Sequence, residues 1–307
     1  MNSKVLPLKV HIATLVVGML LVVSTSLMWV SDRTLTSQTL EAGEELFSRI
    51  ADSTSDALEL ELKPAQIAVK ILANSPLADA NSLNARQRHL DALLAAIRSR
   101  GSFASAYVGT KNGSYLQVRE LNEDFVRKIF DAPHDANYVA RSISRDNPNS
   151  IDAVRYFYSA DKSLVEARAV TNDDFDPRTR DWYLAANRAP DADAVISAPY
   201  KFATTGDIGI SIAARHPDGF AVVGINITLG ALSKLLAEYQ KLKGMDLVLF
   251  DREGSIVAHP DPEIKPMLDA RGNLDLVKLQ DLSNPKMRAV WHQFQNQAAI
   301  ASAENPK

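Results

Sequence analysis

Residues 175–186 read FDPRTRDWYLAA. Pro177 cannot donate to a strand ladder, so Asp176-Pro177 opens a turn, and the residues after it suit a short helix. That arrangement puts Arg180, Trp182 and Tyr183 at a helix start. A guanidinium there offers a bidentate fork to a carboxylate or phosphate. Trp and Tyr supply apolar walls with one polar tip each, and helix-start amides favour the same anion. The same three residues also suit a cation–π pair or a core clasp, so the stretch alone leaves binding and packing open.

C-terminal to this stretch, three strands are expected, at 194–204, 208–215 and 220–228. Pro217-Asp218-Gly219 turns the last two into a hairpin. Residues 229–242 carry Leu232, Leu235, Leu236 and Tyr239 on one face and predict an amphipathic helix. On the N-terminal side, 105–110 and 114–119 flank Lys111-Asn112-Gly113, and 155–160 and 164–170 flank Asp161-Lys162-Ser163. Both read as hairpins. Ser82 caps a predicted helix with Leu83, Leu90, Leu93, Leu94 and Ile97 on its apolar side and Gly101 at its end.

After Gly244 the pattern restarts. Strands at 245–251 and 255–259 flank Arg252-Glu253-Gly254, repeating the opening of the first unit (YVGTKNGSYLQV against LVLFDREGSIVA). The predicted class is α+β, with two sheet-containing subdomains in series, at 76–243 and 244–307. The second has only two predicted strands followed by helix-prone sequence. It reads as incomplete, and the chain as a piece of a longer protein.

Ahead of both units lie a cytoplasmic N-terminus (1–10), a membrane helix (11–30) and a stalk helix (31–75). Ile12 to Val30 is a run of 19 residues without charge. At ~1.5 Å per residue such a helix nearly spans a ~30 Å hydrocarbon core. Lys4 and Lys9 precede the run, which places residues after about 31 on the outside, in the periplasm. A cleaved signal peptide is the competing reading. It fits less well, because the apolar run is long and no A-x-A-like site follows. In the stalk, Leu46, Ile50, Ser53, Ala57, Leu60, Pro64, Ile67 and Ile71 follow heptad spacing. Before Pro64 this seam suits a partner helix in a homodimer and packing on the chain's own domain equally. Beyond Pro64, where the helix is expected to bend or break, self-packing is expected.

Composition excludes several functions. The net charge of −3 and a pI near 6.1, without a basic stripe, argue against nucleic acid. There is no cysteine, so disulfides and thiolate chemistry are absent. No phosphate-binding, dinucleotide, zinc-protease or nucleophile-elbow motif occurs, and the six histidines lack ligand spacing. His259, within AHPDPE, suits turn-building better than a metal. Asp173, Asp174 and Asp176 lack the order of a Ca²⁺ loop and read as a solvated turn. No cofactor, metal or catalytic pair is indicated.

The order FDPRTRDWYLAA, ISAPYKFATTGDIGISIA, VVGINITLGALSKLL and LVLFDREGSIVAHPDP resembles double Cache sensor domains. The likeness covers residues 31 to 265. It implies a membrane-distal and a membrane-proximal PAS-like unit, and a role in signal reception for a chemoreceptor, kinase, nucleotide cyclase or HD-GYP phosphodiesterase output. The resemblance further implies a ligand site at Arg180, Trp182, Tyr183 and Tyr200. Three positions depart from the family pattern. Phe175 replaces a tyrosine, Phe202 stands where many members carry the Asp of PYxD, and Asn226 stands for the Asp of GVDI. The family's carboxylates hold a ligand ammonium. Their loss implies a small anionic or neutral polar ligand, such as a carboxylate, rather than an amino acid. A ligand-silent dimerisation or protein-binding module and an extracytoplasmic hydrolase are the rival readings.

Overall fold

The computed structural model describes residues 8–304 apart from 80–84, 86, 148–149, 172, 191–192, 241–245, 265 and 269–273. Two compact units divide it, 1–57 and 58–307. Helix α1 is continuous from Leu8–Ala73 and passes through Pro64 without a break. Among the described residues no helix is long and apolar enough to cross a membrane. The expected membrane segment, 11–30, is helical, but most of its side chains lie outside the described residues. Of those described, Met19, Val23, Met28 and Trp29 are exposed.

In the second unit short helices α2 (Pro76–Asp79) and α3 (Leu90–Arg98) lead into the sheet. The expected cap Ser82 and Leu83 lie outside the described residues. Strands β1 (Phe103–Thr110) and β2 (Tyr115–Glu120) precede helix α4 (Asp124–Phe130). Strands β3 (Tyr138–Ser144), β4 (Asp152–Tyr158) and β5 (Leu164–Ala169) follow. A 3₁₀ turn at Pro177–Thr179 leads into α5 (Asp181–Arg188). Then come β6 (Val195–Ile196), β7 (Tyr200–Lys201), β8 (Ile208–Arg215), β9 (Ala221–Thr228) and α6 (Leu229–Tyr239). These nine strands form one antiparallel sheet in the order β5-β4-β3-β2-β1-β9-β8-β6, with β7 also on β8.

Side-chain alternation on the central strands sorts the sheet into two faces. Ala106, Val108, Leu116, Val118, Ile210, Ile212, Val223, Ile225 and Ile227 point one way. They bury against Val69 and Leu72 of α1, Leu77 of α2, Leu93 and Ile97 of α3, and Leu232 and Leu236 of α6. Tyr107, Tyr115, Ile143, Ala213 and Val222 point the other way, against Trp182, Tyr183 and Ala186 of α5. Farther along that second face, Val126 and Phe130 of α4 cover Val139 and Phe157. Arg127 fixes this corner by donating to the carbonyls of Leu121, Pro133, His134 and Ala136.

The C-terminal part is built around two small two-stranded sheets, β10 (Leu249–Phe250) with β11 (Ile256–Ala258) and β12 (Met267–Leu268) with β13 (Leu274–Asp275). Helix α7 (Pro285–Glu304) closes a separate core of Ile256, Leu279, Met287 and Trp291.

Three expectations need correction. The single strand expected at 194–204 is two short strands, because Pro199 has no N–H for the ladder and Ser197 bonds Ser211 through its side chain as well as its backbone. Neither α4 nor β3 is signalled by the sequence pattern. Past Pro64, Ile67 and Ile71 do not pack on the domain. The buried stripe of α1 is Ala65, Val69 and Leu72, with Leu58 and Leu62 beside it, and it leaves Leu60, Ile67 and Ile71 exposed. The turns at 111–113 and 161–163 stand where expected, each bringing a hairpin into register. His259 also fits its expectation: it is nearly buried, and its Nδ1 accepts the amide of Asp261 at 3.0 Å.

Gly224 lies directly across the ladder from Tyr107, and a Cβ there would fall on the tyrosine ring. Gly224→Ala is therefore expected to lower stability by ~1–3 kcal/mol through overpacking. Gly230→Ala, whose Cβ would meet only the Thr228 hydroxyl at an ordinary 4.0 Å near the start of α6, is expected to be neutral or slightly stabilising. Thermal unfolding of the two variants beside the parent checks both signs. A second expectation concerns pH. Burial holds the His259 ring below its ordinary pKa, so the neutral ring stabilises the fold above about pH 6.5 and that share is lost as pH falls. Melting temperature should fall further between pH 7.5 and 5.5 in the parent than in His259→Asn.

Candidate functional site

The second face of the sheet is lined on β1, β2, β8 and β9 by small polar residues, where the first is lined by aliphatics. Ser105 (β1), Gln117 (β2), Ser211 (β8) and Asn226 (β9) are brought side by side by register. Alternation alone would have picked them out, since each stands in phase with Tyr107 or Tyr115. The glycines at 209 and 224 belong to the same face. A Cβ at Gly209 would strike Phe202, as one at Gly224 would strike Tyr107, so both let an aromatic ring lie flat on the backbone.

These residues form the floor of a cavity roofed by the 175–182 turn and the 200–205 segment. Its lining includes Arg180, Phe175, Trp182, Tyr200, Phe202 and Asn226, six of the seven residues expected from sequence. Tyr183 is the exception. Successive helix positions lie about 100° apart, so it cannot share the face of Trp182. It packs edge-on against Trp182 at 5.6 Å instead. Space between the walls totals about 420 Å³, including the open mouth. The enclosed lumen is much smaller, with room for roughly one or two water molecules.

The walls are aromatic. Trp182 sits 4.6 Å from Tyr107, and Phe175 sits 4.7 Å from Tyr115. Tyr200 meets Phe202 edge-on at 5.2 Å. Their hydroxyls feed a buried network. Tyr107 donates to Ser211 Oγ at 2.7 Å, and Tyr200 lies 2.6 Å from the same oxygen. Ser211 Oγ is 2.7 Å from Asn226 Oδ1, and Asn226 Nδ2 donates to Ser105 at 3.1 Å. Gln117 Nε2 donates to Ser105, and Thr204 donates to Gln117 Oε1. Burial raises the Tyr107 and Tyr200 hydroxyls above the usual phenol value, so both remain neutral donors. Asn226 thus has both ends of its amide occupied by serines.

Charge is distributed unevenly. Among the described residues the lining holds two cations, Arg180 and Arg119, and no carboxylate. Arg119 has Asp207, 3.5 Å from Nη2. Behind Phe175, Arg141 pairs bidentately with Asp173 at 2.5 and 3.0 Å, both side chains nearly buried. Asp173 is therefore a structural counterion rather than part of a solvated turn, because the 141 position on β3 reaches it across Phe175. Asp176 takes up Arg178 and caps the 3₁₀ turn, holding Arg178 away from the cavity. The Arg180 guanidinium stands 5.5 Å over Phe175 and makes no hydrogen bond or ion pair with the described residues. Nine other lining residues lie outside the 175–186 stretch: Ser105, Tyr107, Tyr115, Gln117 and Arg119 on β1 and β2, Phe130 on α4, and Ala203, Thr204 and Thr205 in the turn after β7.

Comparison with known proteins gives a consistent picture. No family model matches the chain. Adenylate cyclase 1 of Rhizobium meliloti is 27% identical over 80% of this chain and 37% of its own length. The methyl-accepting chemotaxis protein McpC of Bacillus subtilis is 26% identical over 84% of this chain and 33% of its own. The chain thus spans about a third of the length of these curated relatives. Among solved structures, the ligand-binding domain of the Pseudomonas fluorescens chemoreceptor CtaA, in complex with L-serine, is 19% identical with a TM-score of 0.48, covering 78% of both chains. That of Campylobacter jejuni Tlp3, in complex with L-valine, is 20% identical with a TM-score of 0.49, covering 75% of this chain and 74% of that one. A cyclase and a chemotaxis receptor share this region while differing in what they are named for, and the motif order of the double Cache pattern is the one that builds the cavity. Over most of its length the chain is similar to a region of an adenylate cyclase and of a methyl-accepting chemotaxis protein, and its motifs resemble those of double Cache sensor domains.

Proposed function

We propose that the cavity binds a small anion, of which a carboxylate is the simplest form, and that binding is the input of a transmembrane receptor. The observation that carries this reading is the state of Arg180. It lines the cavity beside aromatic walls, and no carboxylate or hydrogen-bond acceptor among the described residues answers its charge. Cations kept partly from water call for a counterion. Phe202 and Asn226 supply no negative charge for a ligand ammonium, and the Asn226 amide is already engaged at both ends. An α-amino acid would leave its ammonium facing Arg180 and Arg119 without an anion.

Supporting the receptor reading, residues 11–30 serve as a membrane anchor with residues after about 31 in the periplasm. Nineteen uncharged residues and outward-facing Met19, Val23, Met28 and Trp29 favour that role. Units at 76–243 and 244–307 act as distal and proximal PAS-like subdomains, with the ligand in the distal one. The chain itself is a receiver without catalysis, and the output lies elsewhere in the receptor. The exposed Leu60, Ile67 and Ile71 on α1 form a seam on which a second copy docks. A ligand shifts the signalling state only by its differential affinity for the two states.

Two measurements test this. In a thermal-shift screen of the full chain in detergent micelles, a small carboxylate at 100 times its Kd should add ~2.7 kcal/mol of stability, visible as a rise of roughly 5–10 °C. Arg180→Gln should abolish it. A larger, Arg180-independent shift from L-serine or L-valine would sink the proposal. For the dimer, the absence of native cysteine makes Ile67→Cys a clean probe. Oxidation in membranes should give a disulfide-linked dimer, and Gln66→Cys, about 100° round α1 from Ile67 and partly exposed, should give much less. Equal cross-linking at both positions would argue against a seam.

A further inference from the structure

We propose that the ligand carries a second, uncharged polar group, a carboxamide or its equivalent, seated between Arg119 and Thr205. This rests on the reading of Arg180 as the site of the anionic head. Arg180 marks one end of the cavity, since it lies over Phe175, which packs on Tyr115. Arg119 stands four residues beyond Tyr115 on β2 and lines the same cavity from its other side. Thr205 lines it there too.

Six buried side-chain polar atoms among the described residues lack a hydrogen-bond partner, and two of them belong to residues lining this end: Arg119 Nη1 and Thr205 Oγ1. Arg119 is 7% exposed, so its idle donor is not served by bulk water. Buried polar groups are nearly always satisfied, and unsatisfied ones grouped at a cavity wall point to a missing polar guest.

Charge decides which guest fits. Arg119 already faces Asp207 through Nη2, so its charge is met and only its Nη1 donor is idle. A second carboxylate would approach Asp207 against like charge. A methyl group would leave Arg119 Nη1 and Thr205 Oγ1 unmet. A carboxamide answers both, its oxygen accepting from Arg119 and its N–H donating to Thr205. The inferred ligand class is a short monocarboxylic acid with a neutral donor–acceptor group at the opposite end.

The test is calorimetric titration of the full chain in nanodiscs with three acids of one four-carbon skeleton: succinamate, butanoate and succinate. Succinamate should bind ~10-fold tighter than either of the others, the worth of two net hydrogen bonds. Thr205→Val, nearly isosteric, should narrow that ratio to within about threefold, as should Arg119→Lys if it folds. Equal affinity for the three acids, lost in Arg180→Gln, would keep the anion reading and overturn this one, with an ordered water filling the place instead. A succinamate preference that survives Thr205→Val also overturns it. Failure of all three acids to bind removes both readings.

Discussion

A β-strand sends alternate residues to opposite faces, and the site depends on that constraint more than on any single contact. On β1, β2, β8 and β9 one phase is aliphatic and the other is small, polar or aromatic. The aliphatic phase is sealed by α1, α2, α3 and α6. That seal fixes the register, because a slip of one residue on β9 would turn Val223, Ile225 and Ile227 toward the cavity and Asn226 into the helices. Once register is fixed, Ser105, Gln117, Ser211 and Asn226 have no choice but to meet. The network they form is therefore a product of the hydrophobic core on the far side of the sheet.

The polar floor also defines what the site can recognise. The hydroxyls and amides of Tyr107, Tyr200, Ser211, Asn226, Ser105, Gln117 and Thr204 partner one another within the protein. Fully satisfied buried networks hold their members in one arrangement. They offer a guest shape and apolar surface rather than new hydrogen bonds. On the proposed reading, recognition then falls to groups at the cavity's two ends, Arg180 at one and Arg119 with Thr205 at the other. A site so divided discriminates by the spacing and charge of two ligand ends.

How far the sequence disclosed this depends on the range of each interaction. Hairpins governed by local turn chemistry, at 111–113, 161–163, 217–219 and 252–254, were legible because the glycine or its equivalent needs no distant partner. The motif around Arg180 was legible for the same reason. Strand β3 was not, since YVARSIS places Arg141 in a central strand, where its partners Asp173 and Thr204 lie tens of residues away. Helix α4 was hidden likewise, held by Arg127 reaching four carbonyls that no periodicity announces. Asp173 looked solvent-facing because its counterion is distant in sequence. Tyr183 looked like a wall because its neighbour is one, although helix geometry already turns it aside. The α1 stripe was misplaced by one position, as two overlapping apolar series run along that helix and only packing decides which one faces the sheet.

The narrow lumen has a consequence for time as well as affinity. In this arrangement the space holds a water or two, while a guest with two polar ends needs several times that. Binding must follow an opening of the roof, and the roof segment is tied at Thr204 to both Arg141 and Gln117. Association then cannot outrun the breaking of those ties, however abundant the guest. Departure is limited by the same event. On the proposed reading, entry and departure of the guest are therefore gated by the roof segment rather than set by diffusion alone.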